Sequence, residues 1–194
     1  MPRLEPLPRE ETTEFEPFFA MIEDAVGFLP NSLLTMARWP ELLQAFSGLA
    51  GTIASGKLPQ ELRMLVAFMA SNAAGCQYCQ AHTSHSAAKV GVSREKLQAI
   101  FEFESSPLFS ELERAALRLA ARSAMVPNAV EDGDFDALHV HFSESEVVEL
   151  VAHISFFGWL NRWNDTLATT LEDIPRQFAE TTLGEKGWTV DKHA

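Results

Sequence analysis

The chain has 194 residues, 46% of them hydrophobic, and a formal net charge of -12, which is enough apolar content to bury one full core without disulfide staples. That charge repels nucleic-acid phosphates and anionic lipid, and no basic cluster overrides it, so neither is expected as a partner. No segment reaches the roughly 18 to 20 consecutive apolar residues of a membrane span, and the N-terminal stretch has no signal-peptide type of apolar run, so a cytoplasmic setting is expected.

The pattern is helical almost throughout. Helices are predicted near 13–28, 40–54, 59–74, 77–90, 93–104, 109–125, 133–142, 144–170 and 173–183, with no alternating strand runs. Leu62, Leu65, Val66, Met69 and Ala73 follow the i, i+3, i+4, i+7 rule of an amphipathic helix entered through Pro59. Ser110 with Glu113, and Ser143 with Glu146, have the spacing of capping boxes. Turn residues gather at 29–32, 55–59, 105–107, 126–128 and 132–134. The fold class is all-α, with short connections that favour antiparallel neighbours. Phe101, Phe103, Phe109, Met21 and Phe28 are expected in the core. The helix carrying Phe156, Phe157, Trp159 and Leu160 is apolar nearly all round and is expected to be central or to face another subunit. Trp39 and Trp163 would suit a homo-oligomer interface.

Slid by 85 positions, the chain matches itself weakly: Leu65-Val66-Ala67 falls on Leu150-Val151-Ala152, and Cys76 and Cys79 fall on Asn161 and Asn164. This reads as a single domain with a thiol-bearing half near 30–105 and a scaffold half near 106–194.

Both cysteines lie together, in Cys76-Gln77-Tyr78-Cys79, with His82 and His85 close behind. Where thiols are kept reduced, such a pair points to redox or metal chemistry rather than to a staple. Gly75 should break the preceding helix, so Cys76 opens the next one and Cys79 sits one turn inside. A helix N-terminus or a neighbouring imidazole lowers a thiol's pKa from about 8.5 into the ~3.5–7.5 range, and His82 follows Cys79 at i+3. Zinc is the competing reading. At about 100° per residue, however, Cys76 and His85 lie on opposite faces of one helix. Four ligands from that helix cannot converge, which leaves only a site shared with another segment or subunit. No cofactor motif occurs: there is no phosphate cradle and no nicotinamide, flavin or haem signature.

Residues 74–82, Ala-Gly-Cys-Gln-Tyr-Cys-Gln-Ala-His, behind the helix beginning Leu58-Pro59-Gln60-Glu61-Leu62-Arg63, resemble the alkylhydroperoxidase D (AhpD)-like branch of the carboxymuconolactone decarboxylase superfamily. The stretch from Glu149 to Asp165 is similar to the last helix of its peroxidase-related members. The resemblance implies a duplicated helical bundle, assembled as trimers or hexamers, in which a dithiol reduces peroxides. It also implies the roles: Cys79 attacks the peroxide, Cys76 resolves the sulfenic acid to a disulfide, and a reducing thiol partner restores the pair.

The chain departs from the family pattern at two places. The family's relay Glu falls on Met64, and its His on Thr83. A relay of Cys79, His82 and Glu61 is the expected replacement, with Glu149 a further carboxylate in the matching slot of the second half; alternatively, Glu149 is a surface charge beside His153. The function expected is reduction of hydrogen peroxide or organic hydroperoxides. The alternatives are a thiol-disulfide exchange or redox-sensing module, and a lyase of the carboxymuconolactone decarboxylase type.

Overall fold

The computed structural model describes residues 1–194. Ten α-helices run in order: α1 (Glu16–Val26), α2 (Asn31–Met36), α3 (Pro40–Ala54), α4 (Gln60–Ala73), α5 (Gln77–Lys89), α6 (Arg94–Gln98), α7 (Glu111–Ser123), α8 (Asp132–His139), α9 (Glu144–Leu167) and α10 (Asp173–Leu183). They are joined by short loops and five 3₁₀ turns, with no strand. Nine of the ten were legible in the periodicity. The short α2 was not, because six residues behind Pro30 give too little pattern to read.

The apolar stripe predicted for α4 understates its burial. Arg63, Ala67, Phe68, Ala70 and Ser71 are buried beside Leu62, Leu65, Val66 and Met69, so α4 is a central helix covered on every side. It packs against α5, α7 and α9. Burying Arg63 requires partners for its charge, and its Nη1 donates to the carbonyls of Ile53 (3.2 Å) and Ala54 (2.8 Å), closing the end of α3. One cluster of 30 buried residues runs from Leu58 to Trp188 through both expected halves, and a smaller one under α1 to α3 holds Phe19, Leu33, Met36, Leu43 and Phe46.

Both expected capping boxes form. Ser110 N–H donates to Glu113 Oε2 at 2.9 Å while Glu113 N–H donates to Ser110 Oγ at 3.3 Å, and at the second box Ser143 donates to Glu146 Oε2 from its N–H at 2.8 Å and from its hydroxyl at 2.7 Å. The 85-residue slide places Gly75 opposite Leu160, where α9 runs on unbroken, so the second half carries no helix–turn–helix at the position of the thiol turn. Two residues expected in the core lie outside it: Met21 is 55% exposed on α1, and Phe101 packs only edge-on against Phe68. No helix is long and apolar enough to cross a membrane.

The weight carried by α4 is open to a direct test. Phe68→Ala, which empties a fully buried site on α4, should cost about 3–5 kcal/mol in urea denaturation, whereas Phe101→Ala should cost clearly less.

Candidate functional site

Gly75 adopts φ +73°, a left-handed conformation that side chains disfavour, and it turns the chain from α4 into α5. Cys76 therefore becomes the N-cap of α5, and its Sγ accepts the N–H of Cys79 at 3.5 Å. This is the cap geometry usually filled by Ser or Asp. The helix dipole and the free N–H groups of the first turn favour a negative charge on that sulfur. Both cysteines are unlinked thiols, with Cys76 fully buried and Cys79 nearly so.

The two sulfurs are not equivalent. The side-chain hydrogen bond from Cys79 holds the Cys76 thiol down, to about 6, and His193 adds to the effect against the opposing cost of burial. Burial pushes the Cys79 thiol well above its ordinary range, and the charge on Cys76 keeps it there, although Asn164 Nδ2 donates to it at 3.6 Å. The N-cap position and the N–H of Cys79 favour charge on Cys76, whereas the resemblance implies attack by Cys79.

The expected relay of Cys79, His82 and Glu61 is not assembled. His82 turns away from the sulfurs and meets Glu172 Oε2 at 2.6 Å, with its ring stacked on Tyr78 (4.2 Å between centroids) and edge-on to Phe28 (4.9 Å). Glu172 also accepts from Tyr78 Oη at 2.8 Å and from Asn31 N–H at 2.5 Å, so one carboxylate ties α5 to α2 at the entry to α10. Glu61 is exposed and lies beside Gly91, at the far end of α5. Glu149 accepts the N–H groups of Lys57 and Leu58, both at 2.9 Å, in a turn where a Cβ on Gly56 would fall 2.2 Å from its carboxylate. Glu149 is therefore a loop brace. Thr83, in the family's His slot, donates to Cys79 O at 2.6 Å.

The imidazole that does reach the sulfurs is His193, in the last 3₁₀ turn, Asp191–His193. Its side chain is completely buried, and its Nδ1 lies 2.8 Å from Thr169 O. A carbonyl only accepts, so Nδ1 carries the proton and Nε2 presents a lone pair. That lone pair has no hydrogen-bond partner, and it faces Cys76 Sγ and an Asp165 carboxylate oxygen, with all three atoms within 4.8 Å of one another. Lys192 holds the same carboxylate at 2.7 Å. Trp188 Nε1 donates to Gln77 O at 3.2 Å, and Leu171 N–H donates to His193 O at 2.9 Å, which fixes this segment over the start of α5. Cys76, Asp165 and His193 are three donors, one short of the four of a structural zinc site. Sequence reasoning missed His193 because no local spacing links it to the thiols. Only the tertiary fold brings it there.

On the other side of Asp165 lies a cleft of about 460 Å³, lined among others by Asn128, Val126, Ile154, Asn161 and Arg162. The Asn161 side-chain amide is buried there with both of its polar atoms unpartnered.

The Glu172 brace has a predictable pH signature. Burial alone would raise its carboxyl; the His82 imidazole and the Asn31 N–H overcome that and hold it below its ordinary value of 4.5. A depressed folded pKa means that the unfolded chain binds the proton more readily. The brace's contribution is therefore complete above pH 4.5 and is lost as pH falls through the folded value. Thermal denaturation of Glu172→Gln against the parent chain should show the largest stability gap near neutrality, narrowing below pH 4.5.

Comparison with known proteins agrees with this architecture. Residues 40–122 match the carboxymuconolactone decarboxylase family. YnjA of Escherichia coli (strain K12), an uncharacterized protein, is 30% identical over 153 residues, which cover 76% of this chain and 81% of YnjA. The crystal structure of the debrominase Bmp8 superposes with a TM-score of 0.86 at 40% identity, covering 94% of this chain and 96% of Bmp8. A second Bmp8 structure, of a cysteine-to-alanine variant in complex with 2,3,4-tribromopyrrole, superposes at 0.87. The AhpD core of a peroxidase-related protein from Ralstonia eutropha JMP134 shares the fold, with a TM-score of 0.79 at 22% identity over 90% of this chain and 94% of that one. On the strength of the YnjA and Bmp8 matches and the shared helical architecture, this chain belongs to the carboxymuconolactone decarboxylase family and carries the AhpD-like fold.

Proposed function

We propose that this protein is a dithiol reductase in which Cys76 attacks an electrophilic substrate and Cys79 resolves it, and that the substrate is a halogenated aromatic ring. The observation that carries the reading is the asymmetric pair: a sulfur at the N-cap of α5 that accepts the Cys79 backbone N–H at 3.5 Å, and a second buried thiol one turn further in. A thiolate is the nucleophile, and a neighbouring thiol is what releases the product of its attack.

The substrate class rests on two further observations. The 40% identity to a debrominase extends over nearly the whole of both chains. The cleft beside Asp165, which reaches Ala74 although neither sulfur lines it, has room for a small ring. The electrons balance as a two-electron reduction. The Cys76 thiolate takes the halogen from carbon, forming a sulfur–halogen bond, and the ring carbon keeps the electron pair and gains a proton. The Cys79 sulfur then displaces halide from Cys76, forming the disulfide and giving up its own proton. One dithiol and one aryl halide thus become a disulfide, the dehalogenated ring, halide and a proton. A small thiol or a thiol protein reduces the disulfide for the next cycle.

Peroxide reduction is the second reading, favoured by the same sulfur pair. Cys76 would be oxidised to the sulfenic acid as the peroxide is reduced to alcohol or water, and Cys79 would condense with it, releasing water. The aromatic face that includes Trp39 (62% exposed), Leu49 and Trp159 is our candidate surface for self-association.

Turnover separates these readings. Supplied with a dithiol reductant and bromopyrroles, the chain should release bromide, with kcat/KM rising on the acid side through about pH 6 as Cys76 ionises. Cys76→Ser should lower that rate by roughly a thousandfold or more, while Cys79→Ser, given a single equivalent of a monothiol in place of the dithiol, should complete the first step and stall with Cys76 in a mixed disulfide. Peroxide consumption without bromide release would select the second reading. Equal activity of both variants and the parent chain on either substrate would refute the dithiol assignment altogether.

A further inference from the structure

We infer that His193 is the positioning base of Cys76: an imidazole carried by the segment Gly184–His193, oriented by Thr169 and backed by Asp165, takes the thiol proton and holds the resulting thiolate against α5. The inference rests on the assignment of Cys76 as the attacking sulfur and adds the group that ionises it.

Three independent features of the geometry converge on it. The Nδ1 hydrogen bond to Thr169 O selects the tautomer whose Nε2 can accept a proton. That Nε2 is fully buried, has no hydrogen-bond partner, and lies near Cys76 Sγ and the Asp165 carboxylate, the latter at 3.8 Å, while the Tyr78 ring packs against the imidazole at 5.7 Å between centroids. A buried, unpartnered ring nitrogen is costly, and accepting the Cys76 proton relieves that cost while creating an ion pair beside a carboxylate. The segment itself is held by the anchors of Trp188, Leu171 and Lys192, so the imidazole is fixed before any substrate arrives.

The charged groups facing the ring are few: Asp165 from α9, with Lys192 bridging to it, and Cys76 from the start of α5. His193 is accordingly held above its ordinary range; burial opposes this, and the nearby Cys76 sulfur, the hydrogen bond to Thr169 O and the Asp165 carboxylate outweigh it. Proton transfer conserves charge: the thiol loses one proton, Nε2 gains it, and the pair stays neutral. In the catalytic cycle the same proton is available to the ring carbon that loses halogen.

His193→Asn is the informative variant. An Asn side-chain nitrogen can keep the donor to Thr169 O, so a purely structural role survives the exchange, but nothing replaces Nε2. In the reduced full-length chain, alkylation of Cys76 by iodoacetamide, mapped by peptide mass spectrometry across pH, should show its midpoint moved upward. The rate at neutral pH should fall as the thiolate fraction falls, by about twofold if the midpoint moves from about 6 to about 7 and by about tenfold if it reaches about 8, with the far-ultraviolet circular dichroism preserved. An unchanged pH profile in His193→Asn overturns the inference. A reciprocal measurement covers the case in which that variant fails to fold: in Cys76→Ser, the NMR titration midpoint of His193 should fall relative to the parent chain, and an unmoved midpoint likewise overturns it. Neither readout depends on turnover. A chain that passes both yet retains full activity as Cys76→Ser would refute the assigned attack order and leave the His193 relay standing.

Discussion

The left-handed backbone at Gly75 turns the chain out of α4 and leaves Cys76 facing the unpaired N–H groups of α5, and the rest of the site is arranged around that sulfur. An N-cap sulfur is stabilised as an anion by the same donors that would otherwise bind a Ser or Asp oxygen. Once that sulfur carries charge, the second one, buried a turn further in, is held neutral by its own desolvation and by its neighbour. The helix position thus sets the two thiols apart before any side chain beside them is considered.

Two imidazole–carboxylate pairs surround this helix and do different work. His82 and Glu172, with Tyr78 and Phe28, lock α5 against α2 and the start of α10. His193 and Asp165 approach the sulfur itself from a segment and a helix outside the α4–α5 turn. Near the thiols, one pair braces and the other tunes. The carboxylate that the family places on α4 is a methionine in this chain, Met64, packed against the core. Charge is instead brought in through α9, whose Asp165 also lines the neighbouring cleft.

Much of this was legible before any coordinates. Helix positions follow from hydrophobic spacing and from Ser–Glu boxes, both of which are local, and nine of ten helices were read from them. The thiol pair, its place at the opening of α5 and the exclusion of a single-helix zinc site were local too. Its surroundings were not. His82 sits at a spacing that permits contact with Cys79, but the rotamer is decided by Glu172, 90 residues away. The Asn164 contact to Cys79 was foreshadowed by the 85-residue slide, which paired those two positions without saying that they touch. His193 had no local signal at all. Spacing rules report what one helix can do, whereas a proton relay built from three segments exists only once the core has closed.

Labelling the native reduced protein with one equivalent of iodoacetamide at neutral pH and locating the label by peptide mapping tests the central claim most directly. The geometry predicts that Cys76 carries it, because that sulfur is the one ionised at the helix opening. A label found on Cys79, with Cys76 unmodified, would contradict the assignment of the reactive thiol and the mechanism built on it.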